Sequence, residues 1–243
     1  QRTPGHTVAG SKIYSMGLLE MLGLERLVSL KAGSGVDNSL INEFINQNSD
    51  QLAAMKIAAI AIIEFAGRYS EELDKLGEKE NREWRKKELA EMARICKKVP
   101  AYAPSTFHEA LQYYWFMHVG VITESNPWDS FNPGRLDQHL YPFYKKEIEE
   151  GILTREGAKE LLQSFWIKFH NHPAPPKVGV TAKESNTYTD FALINLGGLN
   201  AGGNDAVNEL SYLILDVIEE MRILQPSSMI QLSRKNPDDF IER

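Results

Sequence analysis

Cysteine is almost missing from this chain. Cys96 is the one thiol in 243 residues, which excludes an internal disulfide and fits a reducing, cytoplasmic setting. It stands late in a helical stretch, between Ile95 and Lys97, with no histidine nearby and no turn to expose it. A nucleophile needs such an environment, so Cys96 reads as structural. Long hydrophobic runs are missing too. The most apolar stretch, Ala53 to Ala66, is interrupted by Lys56 and Glu64, and a membrane span needs about 20 apolar residues. No segment reads as a targeting or spanning sequence. Nor is there an excess of basic charge: 27 Lys and Arg stand against 33 Asp and Glu, for a net charge of -6. The basic residues are spread among acids, so no nucleic-acid footprint is formed. The signatures G-x-S-x-G, H-E-x-x-H and C-x-x-C and the kinase motifs are all missing. Repeats, low-complexity tracts and a dividing linker are missing as well, so residues 1–243 read as one stretch without an internal boundary.

What is present is a helical chain with a few short apolar runs, the pattern of an α/β protein with buried strands. From Asn38 to about Lys98 the periodicity is helical, with a break near Leu76–Gly77. Leu52, Met55, Ala59, Ile62, Ala66 and Tyr69 step by three and four, as one buried helix face does. The segment from Lys97 to Ser105 is a proline-rich turn. Thr106 and Glu109 then have capping-box spacing for a helix carrying Phe107, Leu111, Tyr114 and Met117. The run Val119 to Glu124 reads as a short buried strand ending in an acid. Helices follow around Leu136 to Glu150 and Thr154 to His170. Lys177–Thr181, Phe191–Leu196 and Ser228–Ser233 read as strands. A helix from about Asp205 to Leu224, with Asn204 as N-cap and Val207, Leu210, Ile214, Val217, Met221 and Leu224 facing inward, completes a parallel βαβ unit.

In α/β folds, ligand groups gather at strand ends and in the loops beyond them. On that expectation Trp128 and Asp129 sit at the mouth of the Val119–Glu124 strand, and Asn195–Gly198 leaves another strand end, where glycines permit close backbone approach. Gln225–Ser228 leads into the last strand, at the opposite end. Other features have plain structural readings. Arg135 and Asp137 form a buried ion pair, and Asn132–Gly134 is turn chemistry. Gly197–Asn204 has many glycines but neither phosphate-binding spacing. His170 and His172 end a helix, without a cysteine or acid at metal-ligand spacing.

Several separated motifs carry a resemblance. Arg2–Thr7 (RTPGHT), Ser105–Gly120 (STFHEALQYYWFMHVG), Gly134–Tyr144 (GRLDQHLYPFY) and Asn208–Asp216 (NELSYLILD) together resemble the glycyl radical enzymes, the pyruvate formate-lyase-like family. The resemblance implies part of a ten-stranded α/β barrel built of two five-stranded halves, predominantly helical with a few short parallel strands. It implies a backbone glycyl radical, installed by a separate S-adenosylmethionine-dependent iron–sulfur activating enzyme, that passes to a cysteine; the thiyl so formed takes a hydrogen atom from a small-molecule substrate. It also implies an anaerobic setting, a homodimer when full length, and no metal in the lyase itself. The Gly-Cys-x-Glu loop and the glycine loop do not occur in these residues. The expectation is therefore an internal segment of such an enzyme, inactive alone.

Trp128–Tyr144, Asn171–Phe191 and Gln225–Ser228 resemble the trans-4-hydroxy-L-proline dehydratase branch. On that resemblance the pocket residues are His6, Trp128, Asp129, Ser185, Asp190 and Phe191. An anion such as Asp190 suits a substrate ammonium, His6 or Ser185 its polar groups, and Phe191 an apolar wall. Loss of a hydroxyl needs a proton, which Asp129 or His6 can move if its pKa is tuned. Alternatives are a sulfonate lyase of the isethionate sulfite-lyase type, with Arg2 as a donor, a glycerol, diol or choline lyase, or formate acetyltransferase. From another class comes a non-catalytic half-barrel that binds or dimerises.

Overall fold

The computed structural model describes residues 7–21, 23, 49–124, 131–171 and 192–243. The packing of the backbone divides the chain into two units, one of Tyr14–Pro104 and one of Gln1–Ile13 with Ser105–Arg243.

The first unit is a helical hairpin. Helix α1 (Ser49–Lys79) packs along α2 (Glu83–Lys98). Its buried positions are Ala59, Ala66, Ser70, Leu73 and Gly77, spaced by seven, four, three and four, so one stripe faces the partner. Apart from Leu73 the stripe is made of small residues, Ala59 and Ala66 among them as expected, while the bulky Met55 and Tyr69 expected beside them turn outward, 60% and 51% exposed. Helix α1 also runs through Gly77 instead of breaking there. A Cβ at Gly77 would lie 3.8 Å from Leu89, so glycine belongs to the packed seam. The chain turns three residues later, where the Glu80 carboxylate accepts the Asn81 and Arg82 N–H groups at 2.9 Å each. Ser70 Oγ donates across the seam to the Ala93 carbonyl at 2.9 Å. Cys96 is buried on α2, in keeping with its structural reading.

The second unit holds the strands. Helix α3 (Phe107–Glu124) starts at Thr106, whose Oγ1 accepts the Glu109 N–H at 3.1 Å. The return half of the expected capping box lands one residue earlier. Glu109 accepts from Ser105 N at 2.8 Å and Ser105 Oγ at 3.0 Å. The Val119–Glu124 run is the end of α3, not a strand. A helix buried on most sides, as Tyr113, Tyr114, Trp115, Phe116, His118 and Ile122 show, gives a continuous apolar run that periodicity cannot tell from a buried strand.

The strands are short and parallel. β1 (Thr7–Val8) pairs with β2 (Phe131–Asn132), Thr7 opposite Phe131. After Pro133 the chain resumes as β3 (Gly134–Arg135), beside β4 (Leu193–Gly197), which pairs with β5 (Ser227–Gln231). The expected turn at Asn132–Gly134 is thus a jog between two strands, with Gly134 at φ 67°. Helices α4 (Leu136–Glu149) and α5 (Arg155–Asn171) lie where their periodicity puts them. Helix α6 (Glu209–Met221) is shorter than expected. Its N-cap is Asn208, accepting from Leu210 N at 3.0 Å and Ser211 N at 3.3 Å, not Asn204. It ends at Arg222 (φ 48°), so Leu224, 79% exposed, lies beyond it. Leu210, Ile214 and Val217 are buried as expected. The β4–α6–β5 unit is parallel, as the pattern required. Helix α7 (Asp238–Glu242) closes the chain, with Phe240 buried.

Candidate functional site

His6, Trp128, Asp129, Ser185, Asp190 and Phe191 all lie outside the described residues, as do Arg2, His172 and the Lys177–Thr181 strand candidate. What is described is the framework they adjoin in the chain. His6 is bonded to Thr7, the first residue of β1. Asp129 stands two residues before Phe131, the first of β2. Phe191 stands two before Leu193, the first of β4. These segments therefore lead into strands. The strand expected before Trp128 and Asp129, Val119–Glu124, is helical.

The three strand starts are tied together at Phe131 and Asn132. From α3, Tyr114 Oη donates to the Phe131 carbonyl, and His118 Nδ1 lies 3.0 Å from the same oxygen. Tyr114 also stacks on the Phe131 ring, centroids 5.6 Å apart and 9° between planes. Both α3 residues are fully buried, so these bonds are shielded from competing water. The Asn132 carbonyl accepts the Ala9 N–H at 2.8 Å, next to β1. Asn132 Oδ1 accepts the Leu193 N–H at 2.7 Å, the first amide of β4. The structural reason lies next door. Pro133 has no N–H to carry the β2 ladder onward, and the β3–β4 ladder begins only at Gly134 opposite Ile194. The Asn132 side chain supplies the rung between them.

A second buried polar cluster holds the other end of β4. Asp137 is fully buried. Its carboxylate accepts from Gly197 N at 2.8 Å, Ser211 Oγ at 2.6 Å and Gln138 N at 2.8 Å. Burial pushes the carboxyl above the ordinary aspartate range, against the pull of these three donors. Arg135 points elsewhere: its guanidinium donates to the Leu199 carbonyl. The expected Arg135–Asp137 ion pair does not form, since the aspartate is satisfied by neutral donors and the arginine by a carbonyl. Gln138 Nε2 donates to the Gly197 carbonyl at 3.1 Å. Burial, the largest influence, pushes the His139 imidazole below its usual range, while the Pro133 carbonyl pulls the other way.

The glycines after β4 do allow close approach, but to the chain's own residues. A Cβ on Gly197 would lie 2.6 Å from the Phe240 ring, and one on Gly198 would lie 2.9 Å from the Gln231 side chain. Both have positive φ, 69° and 70°. Beyond them the loop satisfies itself. Asn200 Oδ1 accepts Gly202 N at 2.9 Å and Asn204 N at 3.1 Å. Asn236 Nδ2 donates to Gly198 O at 2.8 Å and to Asp205 Oδ1 at 2.7 Å. These internal partners occupy amides that a phosphate cradle would need free. Among the described residues, no three His, Cys, Asp or Glu side chains gather as a metal site, and no helix is long and apolar enough to cross a membrane. His170 Nδ1 is buried without a hydrogen-bond partner.

Sequence reasoning missed Asn132 and Asn236. A signal for Asn132 exists, since a buried asparagine before proline has an amide with no ladder of its own to join. Asn236 carries the same signal, since it is buried and stands before Pro237.

Comparison with known proteins joins this framework to a family. The pyruvate formate lyase-like family profile matches residues 1–243. The chain belongs to the pyruvate formate lyase-like family. It is 51% identical over 245 aligned residues to trans-4-hydroxy-L-proline dehydratase of Clostridioides difficile, covering 100% of this chain and 30% of that protein. In three dimensions it resembles the crystal structure of hydroxyproline dehydratase from Clostridioides difficile with trans-4-hydroxy-L-proline bound. The TM-score is 0.85 at 49% identity, over 100% of this chain and 30% of that one. It also resembles a glycyl radical enzyme from Archaeoglobus fulgidus, with a TM-score of 0.81 at 32% identity, over 98% of this chain and 30% of that one. The pyruvate formate lyase-like chain is thus α/β, mostly helical, and part of a barrel of the glycyl radical enzyme type. It spans about 30% of the length of these relatives.

Proposed function

We propose that this chain is part of a glycyl radical lyase that eliminates water from trans-4-hydroxy-L-proline. The observation that carries the reading is the 51% identity to the hydroxyproline dehydratase across 100% of this chain. The like fold, with a TM-score of 0.85 to a structure holding that substrate, supports it.

Residues of this chain bind and orient the substrate and move protons. Asp190 faces the ring ammonium, His6 and Ser185 meet the polar groups, and Phe191 and Trp128 form the apolar wall. Asp129 or His6 gives the departing hydroxyl its proton, which lets it leave as water. The strands that begin within two residues of His6, Asp129 and Phe191 support the grouping, because β1, β2 and the start of β4 are joined through Asn132. Hydrogen-atom abstraction is the chemistry the glycyl radical supplies. In this reading a separate S-adenosylmethionine-dependent iron–sulfur enzyme installs it, and the full-length lyase is a cytoplasmic homodimer.

The test uses the full-length protein, activated under strict anaerobiosis with its activating enzyme. It is offered trans-4-hydroxy-L-proline, isethionate and glycerol in separate reactions. Consumption of hydroxyproline with release of water is expected. A protein that carries the glycyl radical signal yet leaves hydroxyproline untouched, and consumes one of the others, overturns the assignment.

A further inference from the structure

We propose that Asn132 is a positioning residue that sets the spacing of the three segments leading to His6, Asp129 and Phe191. The catalytic consequence rests on the proposed function; the coupling itself does not.

β1 and β4 meet at Asn132 of β2 through different kinds of contact, and α3 holds the residue before it. The Asn132 backbone pairs with Val8 in the β1–β2 ladder and its carbonyl accepts the Ala9 N–H at 2.8 Å. Its side-chain Oδ1 accepts the Leu193 N–H at 2.7 Å. The preceding carbonyl, on Phe131, is held by Tyr114 and His118. Asn132 is 3% exposed, so water cannot replace the lost partner when the amide is removed. No backbone group can take over either, because Pro133 interrupts the ladder at this point. The Oδ1–Leu193 bond is therefore what ties β4 to the β1–β2 pair at this edge.

Each of the three strand starts is within two residues of a proposed pocket residue. A shift of about 1 Å between a substrate-binding group and the reacting centre lowers rates by as much as roughly 100-fold. The acceptor oxygen is the property that matters. Leucine matches asparagine in shape and lacks that oxygen, whereas aspartate keeps it.

The experiment compares Asn132→Leu and Asn132→Asp with the unaltered full-length protein. The readouts are glycyl radical content by electron paramagnetic resonance, kcat and KM for trans-4-hydroxy-L-proline, and amide hydrogen exchange at Ala9 and Leu193. Asn132→Leu is expected to keep the radical signal, to lose about 10- to 100-fold in kcat/KM, and to exchange faster at both amides. Asn132→Asp is expected to restore slow exchange and most of kcat/KM. Where the leucine variant does not fold, Asn132→Ser, too short to reach Leu193, takes its place. Wild-type kcat/KM in the leucine variant overturns the proposal. So does faster exchange at Leu193 alone, or an aspartate variant no better than leucine. If the unaltered protein carries the radical but does not turn over hydroxyproline, the proposed function fails, and the exchange data still decide the coupling.

Discussion

Replacing Asp137 with alanine is expected to lower stability by about 3–5 kcal/mol. The carboxylate accepts three hydrogen bonds, from Gly197 N, Ser211 Oγ and Gln138 N. The Gln138 donor is only partly buried, in the first turn of α4, and water can replace the lost partner there. The other two donors are buried. A hydrogen bond to a charged group contributes about 1.5–3 kcal/mol, and leaving its partner unmade in the interior forfeits about that much. Two such losses make about 3–6 kcal/mol, and relief of the carboxylate's own desolvation takes some of it back. An asparagine side chain in the same place keeps one acceptor but turns an NH₂ toward a donor, so Asp137→Asn is expected to cost about 1–3 kcal/mol. Urea unfolding of the full-length protein, without the radical, measures both. A loss below about 1 kcal/mol for the alanine variant would mean that desolvation cancels the buried bonds, and would refute this account. The pH dependence gives an independent check. Burial raises the folded pKa of Asp137 above its unfolded value near 4. Its protonated form therefore adds stability that is fully present below the unfolded pKa and is lost as pH rises through the folded one. The stability gap between wild type and Asp137→Asn should be widest in acid and narrow as pH rises. A gap that widens instead refutes the sign.

Two further predictions bear on the turn after β4 and on the proposed pocket. Gly197→Ala places a Cβ 2.6 Å from the Phe240 ring and 3.0 Å from the Gln231 carbonyl, at φ 69°. Left-handed backbone costs alanine about 1–2 kcal/mol and overpacking about 1–3, so a loss of about 2–5 kcal/mol in the same unfolding assay is expected, and an unchanged midpoint would show that α7 yields freely. Asp190→Asn in the activated full-length protein should raise KM for hydroxyproline about 10-fold or more, by removing a charge-assisted contact to its ammonium; unchanged kinetics would remove Asp190 from the pocket.

Helices and strands are unequally legible, for a physical reason. Helices α4 and α5 announce themselves because each buries one face and leaves the other in water, so polar residues mark the period. The end of helix α3 reads wrongly as a strand because the helix is buried on most sides. There Val119 to Ile122 form an unbroken apolar run in which β-branched residues favour a strand locally, while the packing of Tyr114 and Trp115 on α5 through Phe165 and Phe169 continues the helix. Tertiary packing outweighs propensities of a few tenths of a kcal/mol per residue. Helix α1 shows the converse. Its period reads correctly as helical and its face only in part: Ala59 and Ala66 are buried as expected, but apolar size also suggests Met55 and Tyr69, whereas the helix–helix seam continues through Ser70, Leu73 and Gly77.

The polar residues follow a different logic. Arg135 and Asp137 are opposite charges two positions apart, and a sequence reader pairs them. Position decides otherwise. Asp137 is on the first turn of α4, facing β4 and α6, where Gly197 N and Ser211 Oγ need an acceptor; Arg135 ends β3, beside the Leu199 carbonyl. Both groups hold the same strand, one at its last residue and one just beyond it. Asn132 holds its first amide from the other side. β4 is five residues long, and side chains hold it at both ends. In that arrangement buried polar residues give the short parallel strands fixed ends, and fixed strand ends are what the proposed substrate pocket requires.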